Sequence, residues 1–154
     1  MRAIVFGILC AALVPRAVLA AEPIGEWLVK DKTAHIRIAD CGAALWGVVS
    51  WEAHAGTDDK NPDSSKRGRP TLGMPVLIGL KAGGPKSWDG AIYNSENGKT
   101  YSGGVTLIGE DRLRVRGCVL GFLCGGENWT RVEARSDSAA LSDADICSGV
   151  EGTR

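Results

Sequence analysis

The sequence predicts an all-β chain closed into an eight-stranded up-and-down antiparallel barrel. Three observations carry that prediction. Apolar residues recur with a period of two in short, regularly spaced runs, as on a half-buried strand. Most connections between the runs have hairpin length and turn residues. Glycine is about twice as frequent as in an average chain, which favours turns and bulges over long helices.

The first run to set aside is the leader. Arg2 precedes AIVFGILCAALV, an apolar core too short to span a bilayer, and Val18-Leu19-Ala20 offers small residues for cleavage. Residues 1–20 therefore read as a secretory signal peptide, and residues 21–133 as the barrel domain. Cys10 follows Leu9, where a lipoprotein signal would need a small residue. Removing the leader leaves 16 basic against 18 acidic residues, a balance that gives no electrostatic reason to expect nucleic acid.

The strands follow in order. Gly25-Glu26-Trp27-Leu28 opens the first, and Asp31-Lys32 turns it. In residues 34–39, Ile36 and Ile38 point inward while His35 and Arg37 point outward. Residues 45–51, LWGVVSW, are apolar on both faces, so something covers this strand from outside or folds over its end. Residues 52–73 form a long loop rich in charge, Pro and Gly, and a loop of this length in a compact domain is usually functional or disordered. Residues 74–80 are a buried strand, and residues 87–93 carry Trp88 and Ile92 on one face. Asn97-Gly98 marks a primed hairpin turn into the strand from Thr100 to Ile108. Leu113 and Val115 then continue the apolar face, with Arg112, Arg114 and Arg116 opposite, and residues 128–132 return. Residues 134–154 form a polar tail whose composition matches disorder.

Four cysteines remain after the leader, and they allow three pairings. Cys118 and Cys124 are close enough to staple one hairpin, for about 2 kcal/mol by loop closure. Cys41 and Cys147 then either pair or stay free. A metal site lacks a second close pair, and the calcium-like spacing of Asp59, Asn61 and Asp63 fails at Ser64 and Pro70, so neither metal nor cofactor is expected. No catalytic residue is assigned: the two histidines, His35 and His54, sit in no nucleophile motif, and Asp58 and Asp59 read as solvated loop charges. Arg67 and Arg69 pair with loop acids or meet an anionic ligand. The arginine row reads as a solvated face or as a contact for anionic lipid head groups or an acidic partner.

Together Gly25-Glu26-Trp27, Ile38-Ala39-Asp40-Cys41-Gly42, Asp59-Lys60-Asn61-Pro62-Asp63, Leu72-Gly73, Trp88-Asp89-Gly90, Gly98-Lys99-Thr100-Tyr101, Leu113-Arg114-Val115-Arg116-Gly117 and Trp129-Thr130-Arg131 resemble a bacterial envelope family catalogued as domain of unknown function 2147. The resemblance implies a periplasmic or secreted lipocalin-like barrel. It also implies that Arg131 closes the barrel as a cation over Trp27. Many members carry a second cysteine shortly after the position of Cys41, where this chain has Trp46.

The function these observations suggest is a non-enzymatic barrel that binds or carries a small, partly apolar molecule. Trp46, Trp51 and Trp88 would line it, and the loop containing Asn61 and Arg69 would cover its mouth. The alternative is a filled barrel that serves as an envelope interaction module, meeting a protein or the membrane through a surface that includes Arg114 and Arg116.

Overall fold

The computed structural model describes residues 22–135 and 141–151. The leader, residue 21 and tail residues 136–140 and 152–154 lie outside the described residues. Eight strands, β1 (Gly25–Leu28), β2 (Ala34–Asp40), β3 (Leu45–Glu52), β4 (Pro75–Gly84), β5 (Ser87–Asn94), β6 (Lys99–Ile108), β7 (Arg112–Val119) and β8 (Leu123–Val132), pair with their sequence neighbours into a closed antiparallel barrel. Closure rests on three residue pairs between β1 and β8, with Trp27 opposite Arg131. The up-and-down barrel is thus the fold of this chain.

Alternation along the strands sends twelve buried apolar side chains inward, among them Trp27, Ile38, Leu77, Leu113 and Trp129. Trp88, Ile92 and Val29, partly buried, pack against this cluster. A small eight-stranded barrel is just wide enough to be packed by its own side chains, and these residues occupy the interior.

The closed end is built around Trp27, which is fully buried and donates its indole N–H to the Pro23 carbonyl at 2.7 Å. The Arg131 guanidinium lies 4.3 Å above the ring centroid. Arg131 also donates to the carbonyls of Glu110 (2.7 Å), Ile24 (2.7 Å) and Glu22 (2.8 Å), so one side chain ties the entering strand to the β6–β7 turn. Gly25, at φ +120°, leaves the room this needs, since a Cβ there would come within 3.0 Å of the Arg131 Nη1.

Within the tail, the described residues 141–151 depart from the reading of disorder. Helix α1 (Asp143–Glu151) lies against the outside of β2 and β3, burying Ile146 and Val150 on Ala39, Trp46 and Val48. Ser142 caps it by accepting from the Asp145 N–H at 3.1 Å, while Asp145 accepts in return from the Ser142 N–H at 3.0 Å. Cys147 is bonded to Cys41, and Arg37 holds Asp143 at 2.9 Å. Composition pointed to disorder because α1 has only two buried positions. Its order comes from the disulfide and from the apolar outer face of β3, the covered strand that LWGVVSW anticipated.

Candidate functional site

The three tryptophans expected to line the barrel have different fates. Trp88 packs against the interior core. Trp46 instead faces outward beneath α1, because β3 alternates and Leu45 and Val49 take the inward positions. Trp51 is turned outward by a bulge: His35 pairs with Trp51 while Ile36 pairs with Val49, so Ser50 is the extra residue and the face switches. Trp51 then lies 4.9 Å from the His35 ring, tilted 58° to it, and under the Arg135 guanidinium at 4.8 Å.

Beside this bulge lies a buried polar group. Glu26 is 5% exposed, bonded to Ser50 and flanked by His35 (3.7 Å) and Arg37 (3.8 Å). Ser50 Oγ also reaches the backbone carbonyl of His35 at 3.1 Å. A serine, a histidine and a carboxylate are therefore neighbours, yet the serine hydroxyl is engaged by the carboxylate and a main-chain carbonyl and is itself buried. His54 is an exposed loop residue.

The long loop is tied by a polar knot centred on Asp58, which is fully buried. Its carboxylate accepts from the Tyr93 hydroxyl (2.5 Å), the Asn61 amide (2.7 Å) and Arg69 Nε (2.9 Å) and Nη2 (2.8 Å). Arg67 donates to the Asn61 carbonyl at 2.8 Å, and Asp63 caps the short turn Ser64–Lys66. Tyr93 alternates to the side of β5 opposite Ile92, so the knot fastens the loop against that side of the strand. Asn61 and Arg69 are thereby engaged in holding the loop. Gly98, at φ +68°, forms the turn against the loop, where any Cβ would collide with the Lys60 carbonyl.

Burial pushes the Asp58 carboxyl upward, but the hydrogen bonds from Tyr93, Asn61 and Arg69 outweigh it, and the group sits below its ordinary range. A depressed folded-state value contributes stability above the unfolded value, near pH 4, and that stability is lost as pH falls through the lower folded value. We predict that Asp58→Asn weakens the protein by about 2–3 kcal/mol at neutral pH, by removing the charge that Arg69 and Tyr93 face. The difference from wild type should shrink in acid. Urea unfolding at several pH values checks this, and a constant difference down to pH values well below 4 would contradict it.

Two recesses stand out on the surface. One, of about 80 Å³, lies between α1 and the edge formed by Val48, Gly73 and Pro75. The other, of about 280 Å³, opens beside Trp88, Leu45, Leu80 and Ala82, with Asp40 and Lys81 at its edge.

The remaining feature is the β7–β8 hairpin. Cys118 is disulfide-bonded to its cross-strand partner Cys124, and the turn beyond them carries Val119, Leu120, Phe122 and Leu123, which are 47%, 79%, 71% and 60% exposed. Leu120 and Gly121 take φ +54° and +78°, the two left-handed residues of a primed hairpin turn. Asparagine or aspartate is the low-cost choice at the first of these positions, and a leucine there costs about 1 kcal/mol. The hairpin also stands clear of its neighbours. Pairing with β6 ends at Ser102–Cys118, and pairing of β8 with β1 ends at Thr130. Arg112, Arg114 and Arg116 form an exposed row along the outside of β7. The apolar tip went unread in the sequence, although an uninterrupted VLGFL between two cysteines, where a hairpin ordinarily turns on polar residues, was the available signal.

The family model of an uncharacterized protein conserved in bacteria, DUF2147, matches residues 25–131. Among solved structures, the chain is similar to HP1028 from Helicobacter pylori, described as belonging to the lipocalin family. The two share 21% identity at a TM-score of 0.67, over 73% of this chain and 84% of that one. No curated protein matches the chain. The likeness in structure speaks to the fold, and the sequence match from the Gly25 strand to the Arg131 closure decides the kinship: this chain belongs to the DUF2147 family, with a lipocalin-like barrel.

Proposed function

We propose that this protein is an extracytoplasmic, non-enzymatic interaction module that works by surface contact through its β7–β8 hairpin, with the filled barrel as a rigid support. The observation that carries the reading is the gathering of four large exposed apolar side chains on one disulfide-stapled tip. Soluble domains scatter such residues singly, and a cluster of them marks a contact surface. The twelve buried side chains of the interior favour this over an enclosed ligand. Two disulfides and the signal-like leader support an oxidising compartment, the periplasm or the exterior.

A second reading keeps a small, partly apolar molecule as partner and moves it to the recess beside Trp88. That recess combines apolar side chains with two charged groups, and its volume lies just under the range usual for ligand sites. Native mass spectrometry of protein exported and purified gently separates the two. The expected result is the bare chain mass, less the four hydrogens lost in forming two disulfides. A stoichiometric extra mass that departs on denaturation would replace the contact reading with the ligand reading.

A further inference from the structure

We infer that the β7–β8 hairpin is a membrane-insertion wedge whose partner is the surface of an anionic phospholipid bilayer. This rests on the contact reading above and names its partner. The tip is convex, so it does not form a pocket for a peptide or a small molecule. Leu120 and Phe122, the most exposed of its side chains, stand on either side of Gly121 at the apex. A protruding pair of large apolar residues gains most from the acyl boundary of a bilayer, into which an apolar surface sinks while the polar body stays outside.

The charge behind the tip fits the same partner. Arg116, Arg114 and Arg112 follow one another along the outside of β7, all exposed. Their outward neighbours are Gly104, Thr106 and Ile108 on β6 and Gly126, Asn128 and Thr130 on β8, none of them charged. Among the described residues, no carboxylate lies within ion-pair distance of these three arginines, and Arg114 reaches only the Asn128 amide oxygen, at 3.4 Å. Asp89 on β5 lies against Gly104, beside Arg116, without forming an ion pair with it. An apolar tip followed by a basic row that no described carboxylate pairs complements hydrocarbon followed by phosphate head groups. The Cys118–Cys124 bond holds the two strands together at the base of the tip, so the leucine and phenylalanine are presented already ordered. No described helix is long and apolar enough to cross a membrane, and the wedge needs none.

The test is flotation of the disulfide-bonded protein with vesicles of phosphatidylglycerol and phosphatidylethanolamine, against vesicles of phosphatidylcholine alone. Wild type should float with the anionic vesicles, and added salt should weaken the association. The double variant L120S/F122S should lose about tenfold or more of the bound fraction. R114E/R116E should lose a comparable share on anionic vesicles. In F122W, lipids brominated in the acyl chain should quench emission beyond the wild-type level. Near-UV circular dichroism keeps the comparison among folded proteins, since every altered side chain is exposed. A wild type that stays off anionic vesicles overturns the wedge, as does a double variant that floats equally well. Either result leaves the contact reading to stand or fall on the native mass: a bare chain keeps it, with a protein surface as the partner to seek, and a loaded chain removes it.

Discussion

Replacing both Cys41 and Cys147 with serine is expected to lower unfolding free energy by about 4 kcal/mol and to release α1 from the barrel wall. The bond closes a loop with a sequence separation of 106, and the constraint it places on the unfolded chain grows with the logarithm of that length. The short staple at Cys118–Cys124, with a separation of 6, should contribute about half as much. A second effect is local. A nine-residue helix is marginal in water without tertiary support, and α1 has only Ile146 and Val150 fully buried, with Arg37–Asp143 as an ionic contact at its start. Freed of its bond, it should fray and uncover Trp46 and Val48, which it now keeps almost dry. Urea unfolding of the oxidised wild type and of the double variant measures the first effect. Amide exchange across residues 143–151 measures the second. Loss of less than about 1 kcal/mol, with α1 still protected, would show that packing alone holds the tail.

Trp27→Ala should be nearly as damaging, at about 3–5 kcal/mol, a large part of the 5–15 kcal/mol that ordinarily stabilises a domain. Trp27 is wholly buried, and no neighbour is free to fill its volume, because Arg131 is fixed above it by three carbonyls. The substitution also strands the Pro23 carbonyl, which accepts the indole N–H. Trp27→Phe separates the contributions in part, since it keeps an aromatic ring under the guanidinium while removing the donor and some of the buried ring volume. It should cost about 1–2 kcal/mol. Because β1 and β8 share only three residue pairs, Trp27→Ala is expected to open the barrel along that seam. Exchange should rise first in residues 25–28 and 130–132. An alanine variant with wild-type urea midpoint would mean that the pairing of Trp27 and Arg131 is incidental to closure.

The strand order was legible because each strand is self-describing. Ile36 and Ile38 alternate with His35 and Arg37, Leu113 and Val115 with the arginines, and Asn97-Gly98 can hardly be anything but a turn. Faces were less legible than strands. Trp51 reads as inward by simple alternation from Val49, and a single bulged residue, Ser50, reverses it. Nothing in the local composition of LWGVVSW announces that bulge. Trp46 was ambiguous for another reason: an apolar residue on the outer face of a strand is correct only if some distant segment covers it, and that segment is α1, about a hundred residues later in the chain. Asn61 and Arg69 were read as ligand-binding residues of a loop over the barrel mouth, whereas in the structure both are bonded to Asp58 and hold the loop in place. Their partners turned out to be Asp58 and Tyr93, the latter 32 residues from Asn61, brought to them by the β5–β6 hairpin.

By itself the sequence determined the class of fold, the number and order of its strands, and the pairing of Cys118 with Cys124, all features set by neighbours within a few residues of each other. Period-two burial is local chemistry and survives being read one stretch at a time, as does the place of a turn. The type of turn does not, since Asn97-Gly98 ends a longer connection between Asn94 and Lys99 with positive φ at Gly98 and not at Asn97, in place of the two-residue primed turn expected. The tertiary structure decided what depends on distant segments meeting. It packed the apolar side chains of the strands into one interior cluster, drew α1 over Trp46, tied the loop to Tyr93, and left the tip beyond Cys118 and Cys124 without a strand neighbour on either side. The exposure of a side chain is a property of everything that fails to cover it, and no stretch of sequence carries that information alone.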